Sequence, residues 1–236
     1  MKFSLIRALV LPVVLGLAAT SANATIATVF GAPAAGLANF NSTVSATGGT
    51  ATHDQWANLA GGTTITRADY TIKHNDGGYV SPLNYGTMSG QVIDISPAGG
   101  AGINSIGSGT TLTFSSGINA IGFEVGDWGT CCRPSALFIS FDDGAPIQVG
   151  ISTVPGDVYF NGRPEVFVGA FDDTSTFTKI QFWGDGAGEY LVFGGTVHYA
   201  LITKGSLPPT TVPEPATLGL LGLGMLGFAV SRRRKN

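Results

Sequence analysis

Alternation of apolar and polar side chains over short runs is the feature that most restricts how residues 25–204 can fold. In "INAIGFEVGDWG", Ile121, Phe123 and Val125 fall on one side of a strand and their neighbours on the other. The same alternation places three further sets on one face each: Tyr70 with Ile72, Leu112 with Phe114, and Leu137 with Ile139 and Phe141. Such runs recur at spacings of about 10–15 residues and close at Gly, Asp, Asn or Pro. The pattern predicts an all-β fold, an antiparallel β-sandwich that is jelly-roll-like.

The glycine content supports this prediction, whereas the first part of the body fits it less clearly. The chain has 35 glycines, and glycine costs about 1 kcal/mol in a helix interior, which favours strands and turns. No segment shows a clear helical stripe of apolar residues. Residues 25–62 are small and polar and are expected to be loop-rich, with Phe40, Trp56 and Leu59 capping the sandwich.

The charge of the body excludes one class of partner. Residues 25–212 hold six basic and fourteen acidic side chains, a net charge of −8. Binding of nucleic acid needs Lys and Arg against phosphate, so no nucleic-acid partner is expected. An acidic body suits metal ions or a soluble surface that repels copies of itself.

Motifs of nucleophilic, zinc-dependent or phosphate-binding enzymes are missing from the sequence. It contains no G-x-S-x-G, H-E-x-x-H or G-x-x-x-x-G-K-[ST] pattern. A glycosidase needs two carboxylates that face a cleft, and Glu124, Glu165 and Glu189 are the available glutamates of the body. We expect no enzymatic activity, with a surface polysaccharide hydrolase as an alternative.

The N-terminus has the three parts of a secretory signal. Lys2 and Arg7 form a positive region, residues 8–19 are mostly apolar, and "ANA" ending at Ala24 supplies a small-x-small cleavage site. Residues 1–24 are therefore predicted to be a signal peptide that the export machinery recognises and signal peptidase removes after Ala24. The alternative is an uncleaved membrane anchor.

The C-terminus, "VPEPATLGLLGLGMLGFAVSRRRKN" (212–236), is unlike the body. A Pro-rich linker, 205–211, leads to a Pro-Glu-Pro triplet, then to an apolar run of 13 residues from Leu218 to Val230. A membrane-spanning helix needs about 20 residues, so this single hydrophobic helix is a marginal anchor. The run is followed by a membrane-stop basic cluster, which the positive-inside rule keeps in the cytoplasm: Arg232, Arg233, Arg234 and Lys235.

The C-terminal segment resembles the PEP-CTERM sorting signal of Gram-negative bacteria, because the Pro-Glu-Pro triplet, the apolar run and the basic cluster follow one another in this order. The resemblance implies an exported protein whose C-terminus is recognised and processed by an exosortase, a membrane-bound cysteine transpeptidase-like enzyme. It assigns the sorting motif to Pro213, Glu214 and Pro215. The prolines on both sides of Glu214 are expected to hold it in an extended conformation. The alternative is an ordinary tail anchor after a Pro-rich stalk.

The body is also similar to the β-sandwich domains found upstream of this signal. The resemblance rests on residues 118–129, 136–144 and 167–185, where an apolar strand and a Gly-Asp turn precede a second strand with an Asp-Gly hairpin and then "GAF…I…F". It implies a delivery route and a fold, and no reaction.

Acidic residues at strand ends are candidate calcium ligands. Calcium takes six to eight oxygen ligands, often from loop carboxylates and carbonyls. The alternative is turn chemistry, since Asp before Gly is favoured in hairpins. The candidates are Asp127, Asp142, Asp143, Asp172, Asp173 and Asp185.

The chain has two cysteines, the adjacent pair Cys131 and Cys132. Export places them in an oxidising compartment. A disulfide between neighbours needs a distorted peptide, because bonded cysteines have Cα atoms about 4.4–6.8 Å apart and neighbours only about 3.8 Å. A vicinal disulfide, intermolecular pairing and free thiols all stay open. Zinc is not expected, because His53, His74 and His198 are scattered along the chain.

Two tryptophans in Gly/Asp-rich surroundings, Trp128 and Trp183, are candidates for sugar stacking. The alternative is that both fill the core or edge of the sandwich. Together these features predict an exported cell-envelope or extracellular-matrix protein, non-catalytic and associated with exopolysaccharide. The first alternative is a carbohydrate- or calcium-binding module with a defined ligand.

Overall fold

The computed structural model of the chain describes residues 26–95, 106–128, 135–152, 165–184 and 191–208. These residues form two packed antiparallel sheets and one helix, which confirms the predicted all-β sandwich. The elements in chain order are β1 Ile26–Gly31, α1 Pro33–Ala46, β2 Thr52–Gln55, β3 Ile65–Thr66, β4 Tyr70–His74, β5 Pro82–Leu83, β6 Val92–Ile95, β7 Thr110–Ile118, β8 Ala120–Gly126, β9 Ser135–Phe141, β10 Ile147–Ser152, β11 Val166–Asp172, β12 Phe177–Gly184 and β13 Leu191–Ala200.

Sheet I has seven strands in the order β1-β11-β8-β13-β6-β5, with β2 also paired to β13. Sheet II has six strands in the order β10-β9-β12-β7-β4-β3. Strand β13 pairs first with β6 and then with β2, and its register against β8 shifts between Gly194 and His198. Neighbours in both sheets are mostly distant in sequence, as in jelly rolls.

The main core lies between the sheets and uses the alternation read from the sequence. Ile121, Phe123 and Val125 of sheet I pack toward Leu112 and Ile139 of sheet II, and all five are fully buried. Burying one such side chain stabilises the fold by about 1.5–3 kcal/mol, whereas an exposed ion pair contributes about 0–1 kcal/mol. The core, rather than surface charge, therefore holds the sandwich together.

Helix α1 contradicts the expectation that residues 25–62 are loop-rich. Its buried residues Gly36, Phe40 and Val44 are four apart, which gives one narrow apolar face. That face packs on the outer side of sheet I, against Phe167 and Phe171. A Cβ at Gly36 would lie 2.5 Å from the Cβ of Phe167, so only glycine permits this close approach. One large apolar residue per turn is too weak a pattern to predict a helix, and the sheet supplies the missing stabilisation.

Asn119 forms the corner where the chain passes from sheet II to sheet I. Its side chain is fully buried between β7 and β8. Its Oδ1 accepts the backbone N–H of Ile202 at 2.6 Å and its Nδ2 donates to the carbonyl of Ile202 at 3.0 Å. These bonds pin the segment after β13 to the corner.

Candidate functional site

The two ends of the sandwich differ in what they carry. Strands β8 and β11 place Ala120 and Asp172 at one end, where β13 also finishes at Ala200. We call this the exit end, because Leu207 lies there and donates its backbone N–H to Asp173 Oδ2 at 2.8 Å. The opposite end, called the far end, is where β4 finishes and β7 begins.

An open cleft of about 310 Å³ lies at the far end, and we call it the Tyr79 cleft. Tyr79 is 64% exposed and packs against Gly61, where an added Cβ would lie 2.7 Å from the phenol oxygen. The turn before it is shaped by Asp76, whose Oδ1 accepts the N–H of Gly78 at 2.7 Å. The lining residues are His74, Asp76, Gly78, Tyr79, Ser81, Asp94 and Ser108.

Asp94 is the more enclosed carboxylate of the Tyr79 cleft. Burial raises its pKa, the nearby His74 lowers it and the charge of Asp127 raises it again. The net effect is upward, so this carboxyl takes up a proton more readily than an exposed aspartate. An exposed aromatic face, two carboxyls and serine hydroxyls thus meet in one cleft.

A second cleft, of about 430 Å³, separates residues 55–58 from the loop 84–91. We call it the amide cleft, because its polar lining includes Gln55, Asn58, Asn84 and Gln91. Gln91 Oε1 accepts the N–H of Leu59 at 2.7 Å, and Gln55 donates its side-chain amide to the carbonyl of Ser89. The two walls of the cleft are therefore linked by amide hydrogen bonds.

Two buried glutamates, Glu124 and Glu165, hold the loop 84–91 in place. Glu124 Oε2 accepts the N–H of Ser89 at 2.7 Å. Glu165 accepts the N–H and the hydroxyl of Thr87, at 2.8 and 2.6 Å. Burial raises the pKa of Glu124, hydrogen bonds from Ser89 lower it, and the charge of Glu165 raises it. Both side chains have a clear structural task, and Glu189 lies outside the described residues.

The described candidate calcium ligands are divided between the two ends. Asp127 follows β8 at the far end and forms a hydrogen bond with Tyr85. Burial and this hydrogen bond raise the pKa of Tyr85 to about 12. Asp142 and Asp143 follow β9 at the exit end, where Asp172 is the last residue of β11 and Asp173 comes next. The five therefore cannot surround one ion, and Asp185 lies outside the described residues.

Turn chemistry occupies the aspartates at the exit end. Asp172 accepts hydrogen bonds from Thr174 and Ser175. Burial is the largest single influence and raises the pKa of Asp172, but the hydrogen bonds together outweigh it, so the pKa is lowered. Asp142 accepts the N–H groups of Thr178 and Lys179, and Asp143 forms an ion pair with Lys179 at 2.5 Å. Within the described ranges, no three His, Cys, Asp or Glu side chains are grouped closely enough to hold a metal ion.

The two tryptophans considered for sugar stacking are buried, which agrees with the alternative that they fill the core or edge of the sandwich. Trp128 and Trp183 are both fully inaccessible. Trp128 donates its indole N–H to Ser135 Oγ at 3.0 Å, and Trp183 stacks on Phe138 with ring centroids 5.6 Å apart. Large aromatic rings next to apolar strands bury more readily than they stay exposed. Among the described residues the exposed aromatic is instead Tyr79, in the equally Gly/Asp-rich "NDGGY", to which the same reasoning could have been applied.

A histidine pair is a feature that sequence reasoning missed. His53 of β2 and His198 of β13 are 145 residues apart in sequence, yet their Nδ1 atoms are 2.5 Å apart. No sequence signal predicts this contact, because it depends on the pairing of an early edge strand with the last strand. The adjacent cysteines Cys131 and Cys132 lie outside the described residues, as do the sorting motif and the basic cluster.

The fold and the C-terminal sorting signal define an exported β-sandwich protein. Residues 211–235 match the PEP-CTERM protein-sorting motif, which confirms the resemblance read from the sequence. Such a signal directs the protein to exosortase and to the cell envelope. In the part of the chain that the structure describes, no helix is both long and apolar enough to cross a membrane.

Comparisons of the whole chain give remote similarities. No curated protein has a detectably similar sequence. A solved mutant of a family 29 carbohydrate-binding module is 14% identical, with 69% of this chain and 92% of that chain covered and a TM-score of 0.37. The K2 cleaved adhesin domain of Lys-gingipain is 13% identical, with 64% and 97% covered and a TM-score of 0.36. At these TM-scores neither protein's ligand is transferred to this chain.

Proposed function

We propose that this protein is a non-catalytic component of the cell envelope that contacts exopolysaccharide through the Tyr79 cleft. The observation that carries the proposal is the exposed ring of Tyr79 beside Asp76 and Asp94. Sugar rings present apolar C–H faces and hydroxyl edges, which suit an aromatic face next to carboxylate and hydroxyl groups. Trp and Tyr serve such sites because one side is apolar and the other polar.

The position of the cleft supports this role. The chain leaves the sandwich at the exit end, beside Asp173, on its way to the sorting signal. The Tyr79 cleft lies at the far end, beyond the ends of β4 and β6. A sandwich tethered through its C-terminus thus has this cleft away from the tether, where a matrix polymer has access.

The two glutamates of the body that the structure describes support a non-catalytic role. Glu124 and Glu165 are buried below the loop 84–91 and accept its N–H and hydroxyl groups. A glycosidase needs one carboxylic acid and one carboxylate facing the scissile bond. For the hydrolase alternative to hold, Glu124→Gln or Glu165→Gln would have to abolish a measured release of reducing ends from envelope polysaccharide.

The test is a binding assay of the full-length protein on a glycan array and on polysaccharide from the producing cells. Tyr79→Ala should weaken binding at least tenfold, the loss of about 1.4 kcal/mol typical of an aromatic anchor, while Tyr79→Phe keeps the ring and most of the affinity. Leu201→Ala is the matched control, because Leu201 is 59% exposed at the exit end. Equal binding by Tyr79→Ala and the wild type would refute the assignment.

A calcium-dependent module with a defined ligand is distinguished in the same assay. Binding of one glycan that EDTA abolishes would favour that alternative, and Asp127 and Asp185 would then be the first residues to replace. Binding that is unchanged by EDTA and lost in Tyr79→Ala supports the proposal. No binding to any polysaccharide would leave the envelope location without this partner and would overturn the proposal.

A further inference from the structure

The histidine pair lies on the outer face of sheet I, away from both clefts. His53 and His198 are direct partners in the register of β2 and β13. Their rings are 4.8 Å apart between centroids and inclined by 72°, with the two Nδ1 atoms facing each other at 2.5 Å. At that separation the two nitrogen atoms share one proton in a hydrogen bond, because two unshared lone pairs would repel each other.

The surroundings keep His198 neutral. Only 4% of its surface is exposed, and the rings of Phe40 and Phe167 lie 6.1 and 5.7 Å from its ring. Burial first, and the charge of His53 second, lower the pKa of His198 to about 4. Opposite it on β8 is Gly122, which has no side chain. Burial therefore favours the neutral imidazole, which is the form that coordinates a metal ion.

His53 provides access for solvent. It is exposed and lies on β2, which pairs with β13. Solvent therefore reaches the His53 side of the pair. A buried neutral imidazole and an exposed imidazole thus converge on one point that is open to solvent.

We propose that His53 and His198 form a binding site for a divalent transition metal ion of the Cu²⁺, Ni²⁺ or Zn²⁺ type, with water completing the coordination shell. Imidazole nitrogen suits these ions, whereas Ca²⁺ and Mg²⁺ require oxygen ligands. Two bonds of about 2.0–2.1 Å at angles between about 90° and 110° place the nitrogens about 2.9–3.4 Å apart. Outward rotation of the exposed His53 ring provides the difference from the present contact.

The ligand count sets the strength and order of binding. Among the described residues no third His, Cys, Asp or Glu joins the pair. With two protein ligands we expect affinities in the micromolar range, with Cu²⁺ bound more tightly than Ni²⁺ or Zn²⁺. Binding should weaken as the pH falls, because protons compete with the metal ion for the imidazole nitrogens.

The test is calorimetric titration of CuCl₂, NiCl₂ and ZnCl₂ into the full-length protein, produced without a histidine tag. Cys131 and Cys132 are alkylated beforehand, because thiolates bind the same ions. One equivalent of metal should bind, and the midpoint of thermal unfolding should rise with metal concentration. Nitrogen couplings in the electron paramagnetic resonance spectrum of the copper form should report two imidazoles.

The variants decide whether the pair is the site. His53→Gln changes an exposed side chain, so it should fold normally and lose at least tenfold in affinity; His198→Gln should do the same. His74→Gln is the matched control, because His74 belongs to sheet II, and its affinity should equal that of the wild type. Unchanged binding in His53→Gln, or loss of binding in His74→Gln, would overturn the proposal, as would the absence of any binding to the wild type.

Discussion

Replacing Asn119 by alanine is expected to be among the most damaging single changes in this protein. The side chain is fully buried at the corner between the sheets and satisfies both the N–H and the carbonyl of Ile202, at 2.6 and 3.0 Å. Asn119→Ala leaves both groups unpaired away from water, at about 1–3 kcal/mol each. We therefore expect a loss of about 2–6 kcal/mol, a large part of the 5–15 kcal/mol typical of a domain.

Urea unfolding of the full chain measures this loss, with an unchanged slope as the sign that the same surface is exposed. Asn84→Ala is the matched control, because Asn84 is exposed in the amide cleft and should change stability by less than about 0.5 kcal/mol. Asn119→Asp keeps the acceptor for Ile202 N–H but sets a buried carboxylate against a carbonyl. Its defect should shrink as the pH falls and the new carboxyl becomes a donor. A loss below about 1 kcal/mol in Asn119→Ala would refute the reasoning.

Three further outcomes are expected. Gly36→Ala should lower the free energy of unfolding by about 1–3 kcal/mol in a urea titration, because its Cβ would lie 2.5 Å from Phe167; an unchanged midpoint would contradict the close packing of α1. Burial lowers the pKa of His198 to about 4, so between about pH 6.5 and 4 the unfolded chain binds more protons than the folded chain, and the free energy of unfolding falls as the pH drops. Urea titrations at the two ends of this range should show a fall of at most about 3 kcal/mol, and His198→Gln should lack it. Asp173→Ala should speed tryptic cleavage after Lys204, seen by mass spectrometry, because it removes the acceptor of Leu207 N–H; a cleavage rate equal to that of the wild type would show that this contact does not hold the segment.

The strands of the core were predictable because their apolar pattern is strong and local. Ile121, Phe123 and Val125 alternate with small or polar residues, and a period of two is visible without knowledge of any partner strand. Helix α1 was not predictable in this way. Its narrow apolar face of Gly36, Phe40 and Val44 becomes stable only against the outer face of sheet I. Local propensity was too weak to show it, and tertiary packing decided it.

Candidate binding residues were predicted less well than strands. The sequence offered Trp128 and Trp183 as candidates for an aromatic face beside carboxylates, but the sheets bury both. Exposure is a property of the packed sandwich, so the sequence could not tell these rings from Tyr79. The aspartates were placed correctly at strand ends, yet only strand direction separates Asp127 from Asp172.

By itself the sequence determined the route of the protein and its class of fold. The sorting signal at residues 211–235 is a linear motif, so it needs no tertiary context. Strand alternation is equally local. Tertiary structure decided what stands together in space, namely the cleft around Tyr79, the loop held by Glu124 and Glu165, and the contact between His53 and His198. These features join residues far apart in the chain, and antiparallel pairing between distant strands, rather than any local pattern, brings them together.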